Sequence, residues 1–172
     1  MPWTPVYPDI NFGLPLIDNI VAVIERDQAE ALAWANDNTA MTSFVRVHKC
    51  ERVSNKFPSL AIIPISDEID FVNDGILQDY EFAFEIANTS TEPGALTEDL
   101  RKRVAAVRQM ILAASAEELT AGIAANTLSP LIKTFGKALY EQVRESDKDE
   151  QAGRYYRSVF LTITFRYLQH GG

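Results

Sequence analysis

His48 and Cys50 stand two residues apart in a stretch where Val45 and Val47 alternate with Arg46 and His48. On a strand they would share a face and offer an imidazole and a thiol to zinc, or a thiol beside a base. Two ligands do not close a tetrahedral site. The only other histidine is His170 in the tail, and there is no second cysteine. A nucleophilic Cys/His pair also lacks a third group to orient the ring.

The segment Asp70 to Glu81 places Asp70, Asp74, Gly75 and Glu81 at the first, fifth, sixth and twelfth positions of a calcium loop. Val72 occupies the third position, where an oxygen ligand belongs, and the flanking residues read as strands rather than helices. A hairpin turn with solvated acids accounts for the segment better. Asp67 and Asp70 are likewise loop carboxylates with no closed pocket around them to raise a pKa for acid/base work. The chain carries no phosphate-binding loop, no Gly-x-Ser-x-Gly and no glycine-rich dinucleotide fingerprint. The residues therefore predict no catalytic, cofactor-binding or metal-binding site, and no enzyme.

The elements are more legible than any site. Tyr80, Phe82, Phe84 and Ile86 alternate with Glu81, Ala83, Glu85 and Ala87, which predicts a strand with one buried face. The turn-rich stretch Asn88 to Gly94 follows. Leu100, Val104, Val107 and Ile111 then recur at helical spacing behind a cap expected at Thr97, giving a helix that covers the strand. Glu98/Lys102 and Asp99/Arg103 fall four apart in the favourable acid-first order, which reads as a solvated helix face.

Before this unit, Pro15 can open a helix with Leu16, Ile17, Ile20, Val21 and Ile24 as its apolar stripe, running through Trp34 until Asn36-Asp37-Asn38 ends it. Strands are expected at Ser43 to Val53 and Leu60 to Ile65, with Pro64 at an edge or bulge. An acidic stretch, Ser66 to Gly75, turns at Asn73-Asp74-Gly75.

After it, Ser115-Ala-Glu-Glu118 matches a capping box and predicts a short helix to about Ala125. Leu131, Phe135, Leu139 and Val143 lie four apart, so the spacing predicts a helix over 130–144, with Gly136 weakening it and a strand as the other possibility. A charged loop from Ser146 to Gly153 precedes Val159, Leu161, Ile163, Phe165 and Tyr167, which alternate along a long strand. Its two partly apolar faces suit the centre of the sheet or a surface that meets another subunit. Residues 1–13 hold Pro2, Pro5 and Pro8 among Trp3, Tyr7 and Phe12, and read as an extended arm.

The chain has 172 residues, of which 47% are hydrophobic, enough for one domain with its own core. The expected architecture is α+β, a mainly antiparallel sheet with a long N-terminal helix and a second helix packed on one face. The formal net charge of −8 argues against broad duplex DNA binding, which needs a basic surface. A lone cysteine fits a reducing compartment, and the start, Met-Pro-Trp-Thr-Pro, lacks a signal peptide's basic and apolar regions. A soluble protein made in a cytoplasm is the expectation, with no membrane partner.

This order of elements, with Phe57-Pro-Ser-Leu-Ala-Ile-Ile-Pro64, Tyr80-Glu-Phe-Ala-Phe-Glu-Ile86, the helix Leu100 to Leu112 and Tyr156-Arg-Ser-Val-Phe-Leu-Thr-Ile-Thr-Phe-Arg166, resembles the tail terminator (tail completion) proteins of long-tailed bacteriophages. The resemblance implies a structural virion protein without cofactor, assembled in the host cytoplasm as a homo-oligomeric ring, typically a hexamer. The ring would cap the head-proximal end of the tail tube, contact the tube protein and a head-completion or connector protein, and let DNA through without binding it. The arm and the two-sided final strand are the candidates for ring contacts. In that role Glu81 and Glu85 would supply lumen charge, unless Arg154 or Arg166 neutralises them across the sheet. The alternatives are another head-to-tail connector or tail-tube-like subunit, and a small ligand-binding or enzymatic α+β domain.

Overall fold

The computed structural model describes residues 13–50, 56–73, 75–122, 131–145 and 153–170. The extended arm expected over residues 1–13 lies outside these, apart from Gly13. In chain order the elements are α1 (Gly13–Ala35), β1 (Arg46–His48), β2 (Ser59–Val72), β3 (Gly75–Ser90), α2 (Pro93–Ala113), α3 (Ala116–Leu119), β4 (Ile132–Tyr140), β5 (Arg144–Glu145) and β6 (Tyr155–His170). The strands form one sheet in the order β1-β2-β3-β6-β4, with β5 also on β6. Every pairing is antiparallel except β1 on β2. The fold is α+β, with α1 and α2 on one face of a mostly antiparallel sheet.

Register explains the core. Tyr80, Phe82, Phe84 and Ile86 of β3 lie opposite Phe165, Ile163, Leu161 and Val159 of β6. All eight are buried on the helix side. Leu60 and Ile62 of β2 continue the layer. Above it, α1 contributes Leu16, Ile20 and Ile24, and α2 contributes Leu100, Val104, Val107 and Ile111, the residues that recur at helical spacing. β6 therefore occupies the sheet's interior, flanked by β3 and β4.

The chain breaks α1 with Asp37 and Asn38, both in the left-handed region at φ 53° and 59°, residue types that tolerate it. Asn36 Nδ2 donates to Thr39 O at 3.1 Å and holds the turn. The capping box forms as expected: Glu118 N donates to Ser115 Oγ, and Ser115 N donates to Glu118 Oε2. The helix it opens stops at Leu119, short of Ala125; residues 123–130 lie outside the described set.

Several boundaries move. The segment expected to be helical over 130–144 is strand β4. The fourfold spacing misleads because Phe135 and Leu139 end on opposite faces: a bulge between Phe135 and Ala138 shifts the register, so Phe135 is half-buried and Leu139 is 63% exposed. The stretch Asn88 to Gly94 is not a long loop, because β3 runs to Ser90 and α2 begins at Pro93. Proline at the first turn sets this start, since its missing N–H costs nothing there. Thr97 is consequently inside the helix, donating its hydroxyl to Pro93 O, and Glu92 is the N-cap residue.

The acidic stretch after Pro64 is strand too: β2 continues to Val72, with its register shift between Pro64 and Ser66 where proline interrupts the ladder. β1 is shorter than the expected strand, covering only Arg46–His48; residues 51–55 lie outside the described set.

Candidate functional site

Among the described residues the helices cover one face of the sheet and none lies on the other, although Ser59, Ala61, Ala83, Ala87 and Ser158 of that second face are buried. On that second face β3 presents Asp79, Glu81, Ala83 and Glu85, opposite Arg166, Thr164, Thr162 and Phe160 of β6. β2 adds Ser66, Glu68 and Asp70 in register with Glu81, Asp79 and Leu77. The described part of this face thus carries the carboxylates of Asp79, Glu81, Glu85, Glu68 and Asp70 with the guanidinium of Arg166 beside Asp79, while Arg46 and Arg144 stand on the same face in register with Ser59 and Tyr156.

Arg166 does not neutralise Glu81 or Glu85. Its Nε donates to Asp79 Oδ1 at 2.7 Å and its Nη2 to Asp79 Oδ2 at 2.5 Å, a two-pronged ion pair across neighbouring strands. These bonds to Asp79 hold the guanidinium pKa above its ordinary value, with Glu68 and Asp70 adding weaker attraction. Arg154 turns elsewhere, donating to Thr89 Oγ1 at 3.3 Å. Glu81 accepts a bond from Ser66 Oγ at 3.1 Å. The acid that captures Arg166 was missed in the sequence because matching two alternating strands fixes register only in steps of two residues. Aligning Tyr80 with Phe165 would have placed Asp79 opposite Arg166.

The other candidates separate. His48 is 5% exposed at the end of β1, whereas Cys50 lies beyond the strand and is exposed. The two are not presented together on one strand face. Asp70 and Glu81 sit in paired strands, in register with Leu77 and Ser66, so the twelve-residue calcium loop does not form. Asp74 lies outside the described residues, among which no group of three or more His, Cys, Asp or Glu could hold a metal ion.

A shallow cleft lies between the end of α1 and the start of α2, lined by Asn36, Met41, Ala95, Glu98, Asp99 and Lys102. Its charges are engaged within the fold. Lys102 Nζ pairs with Glu98 and donates to Asn36 Oδ1, both at 2.9 Å, and Asp99 binds Arg103 and Asn88. Arg103, which the spacing assigns to a solvated face, is 1% exposed: it donates to Asp99 and to Thr42 O and lies over the Phe44 ring at 5.3 Å. The cleft offers no activated nucleophile. Among the described residues, no helix is long and apolar enough to cross a membrane.

No protein-family model and no curated protein matches this sequence. Among solved structures, a chain from the virion of a native gene transfer agent particle is similar to it with a TM-score of 0.48 and 12% identity, over 92% of this chain and 98% of that one.

Proposed function

We propose that this chain is a structural protein of a phage-like virion, acting as a ring-forming tail terminator at the head-proximal end of a tail tube. The observation that carries the reading is the acid-bearing sheet face on which Arg154 and Arg166 are committed to Thr89 and Asp79, so that Glu81 is held by the Ser66 hydroxyl and by no cation among the described residues. A protomer whose second sheet face carries acids and, among the described residues, no helix suits a subunit with those acids on a channel: carboxylates there repel passing phosphate and keep DNA from adhering. The order of elements that resembles the tail terminators supports the same role. On this reading the domain works as a subunit, a homo-oligomeric ring, hexameric in the resembled family, placed in the neck of the particle between tube and head.

The test is the double variant Glu81→Lys/Glu85→Lys. It should keep the parent's circular dichroism spectrum and cooperative melt, form rings of the parent's mass by light scattering and electron microscopy, and retain linear DNA that the parent ring releases. Failure to fold would assign these acids to the protomer itself. A folded ring with the parent's indifference to DNA would remove the lumen role.

A further inference from the structure

The sheet ends in two open edges of opposite charge. β1 pairs with β2 only from Ser59 to Ala61, so from Ile62 to Val72 the outer edge of β2 meets no other strand among the described residues. At the far side of the sheet β4 pairs with β6 alone, so its outer edge meets none among them either. An open edge presents a row of backbone N–H and C=O groups, which is a template for a further strand.

Beyond the register shift at Pro64, the free stretch of β2 carries Asp67, Glu68 and Asp70 and no basic residue. Asp67 lies on the helix side of the sheet and Glu68 and Asp70 on the other, so acids flank this edge on both faces. β4 is the reverse: its nine residues include Lys133 and Lys137 and no acid. Lys133 is held by the end of α2, whereas Lys137 is exposed and makes no ion pair among the described residues. Ile132 and Leu139 stand in register with Arg166 and Phe160, on the acid-bearing face, and are 56% and 63% exposed. A strand laid along β4 would cover both.

Direction and charge select one pairing of these edges. β2, β3, β6 and β4 alternate in direction, so the two strands that bear the open edges run opposite ways. Copies related by rotation about an axis roughly along the strands therefore bring β2 of one against β4 of the next antiparallel, as in the rest of the sheet. β2 on β2 would set acids against acids, and β4 on β4 lysines against lysines. We infer that the free edge of β2 pairs with the free edge of β4 in a second copy of this chain, continuing the sheet from protomer to protomer. The contact joins two different edges, so it is heterologous: copies follow one another head to tail and close into a ring rather than a two-fold dimer. The inference rests on the ring reading above and specifies its contact. Backbone hydrogen bonds and the covering of Ile132 and Leu139 supply the attraction, and the unlike charges suppress other pairings. Because the sheet continues in its own plane, the face that carries Glu81 stays on the channel side and the helices stay outside around the whole ring.

The test uses the full chain with Cys50→Ser, which removes its only thiol. Asp67→Cys and Lys137→Cys are added together, to place a thiol on each edge, and singly as controls, and every variant is checked for the parent's melt. A short bismaleimide should link the double variant into a ladder of multimers that ends at the mass of the parent ring, and should leave both single variants unlinked. Lys137→Glu in the parent chain should raise the association midpoint, followed by light scattering, by about fivefold or more, because it sets an acid against an acidic edge. Linked dimers from either single-cysteine variant would show like edges meeting and overturn the head-to-tail pairing. Rings of the parent's mass in which the double variant stays unlinked and Lys137→Glu associates like the parent overturn this contact and leave the ring reading standing. A parent chain that is monomeric at every concentration and gives no amine-to-carboxyl cross-linked multimers overturns both.

Discussion

Arg103 is held by Asp99 one helical turn earlier, Nε to Oδ2 at 2.8 Å, with its guanidinium buried against the Phe44 ring and donating to Thr42 O. The pair ties α2 to the segment that leads into β1. It converts what reads as a surface i,i+4 pair into part of the core, where the balance between desolvation and pairing decides its worth.

Removing the two partners should therefore have unequal effects. Asp99→Ala leaves a buried guanidinium with only a carbonyl to answer it, and is expected to cost about 3 kcal/mol or more. Arg103→Met keeps the volume and leaves behind a partly exposed carboxylate that Asn88 already contacts at 2.7 Å. It is expected to cost about 1–2 kcal/mol. Urea unfolding of both variants checks the order; an Arg103→Met that is the more damaging would contradict it.

Lys133 reaches from β4 to the end of α2, where its Nζ donates to Leu112 O and Ala114 O, carbonyls that the helix itself leaves without partners. Burial pushes its pKa below the ordinary lysine value. Lys133→Met should preserve the stem's packing, cost about 1–2 kcal/mol through the lost bonds, and speed amide exchange in the last turn of α2 more than in the first. Uniform exchange along α2 would count against the clamp.

Gly136 sits at the β4 bulge because the neighbouring strand leaves no room for a side chain: a Cβ there would meet Thr162 O at 3.0 Å and Thr162 Cβ at 3.2 Å. The close atoms belong to the central strand β6, which cannot yield without disturbing β3. Gly136→Ala should destabilise by about 1–3 kcal/mol in chemical denaturation, despite alanine's better intrinsic propensity. A stabilised variant would show that the bulge relaxes freely.

Glu118 accepts a backbone bond from Ser115 and ion-pairs with Arg26, and these, in that order, hold its carboxyl below the ordinary value of 4.5. A lowered folded-state pKa means the stabilisation is complete above the unfolded value and is lost as pH falls through the folded one. Glu118→Gln retains the capping geometry without the charge. The melting temperature of the parent should exceed that of Glu118→Gln at pH 7, and the gap should close as pH falls below about 4.5 toward 3. A gap that stays constant across this range would show that the charge contributes nothing.

Local chemistry was readable in the sequence wherever a single element settles it. The two alternating strands, the apolar stripes of α1 and α2, and the Ser115 capping box all follow from side-chain period or from a cap that closes within four residues. These patterns also carried the α+β class and the acids on the face of β3 opposite its aromatic one.

What the sequence left open was decided by partners distant along the chain. Residues 132–140 have spacing that fits a helix, and became strand β4 because β6 offers a ladder and Gly136 a bulge. The pairing of Arg166 with Asp79, 87 residues away, depends on a register that alternation fixes only to the nearest two residues. The burial of Arg103 depends on Phe44 and Thr42 arriving from before the sheet. Period and capping are properties of neighbours in sequence, so composition and order determine them. Register, bulges and the fate of each charge are properties of neighbours in space, and only the folded sheet assigns those.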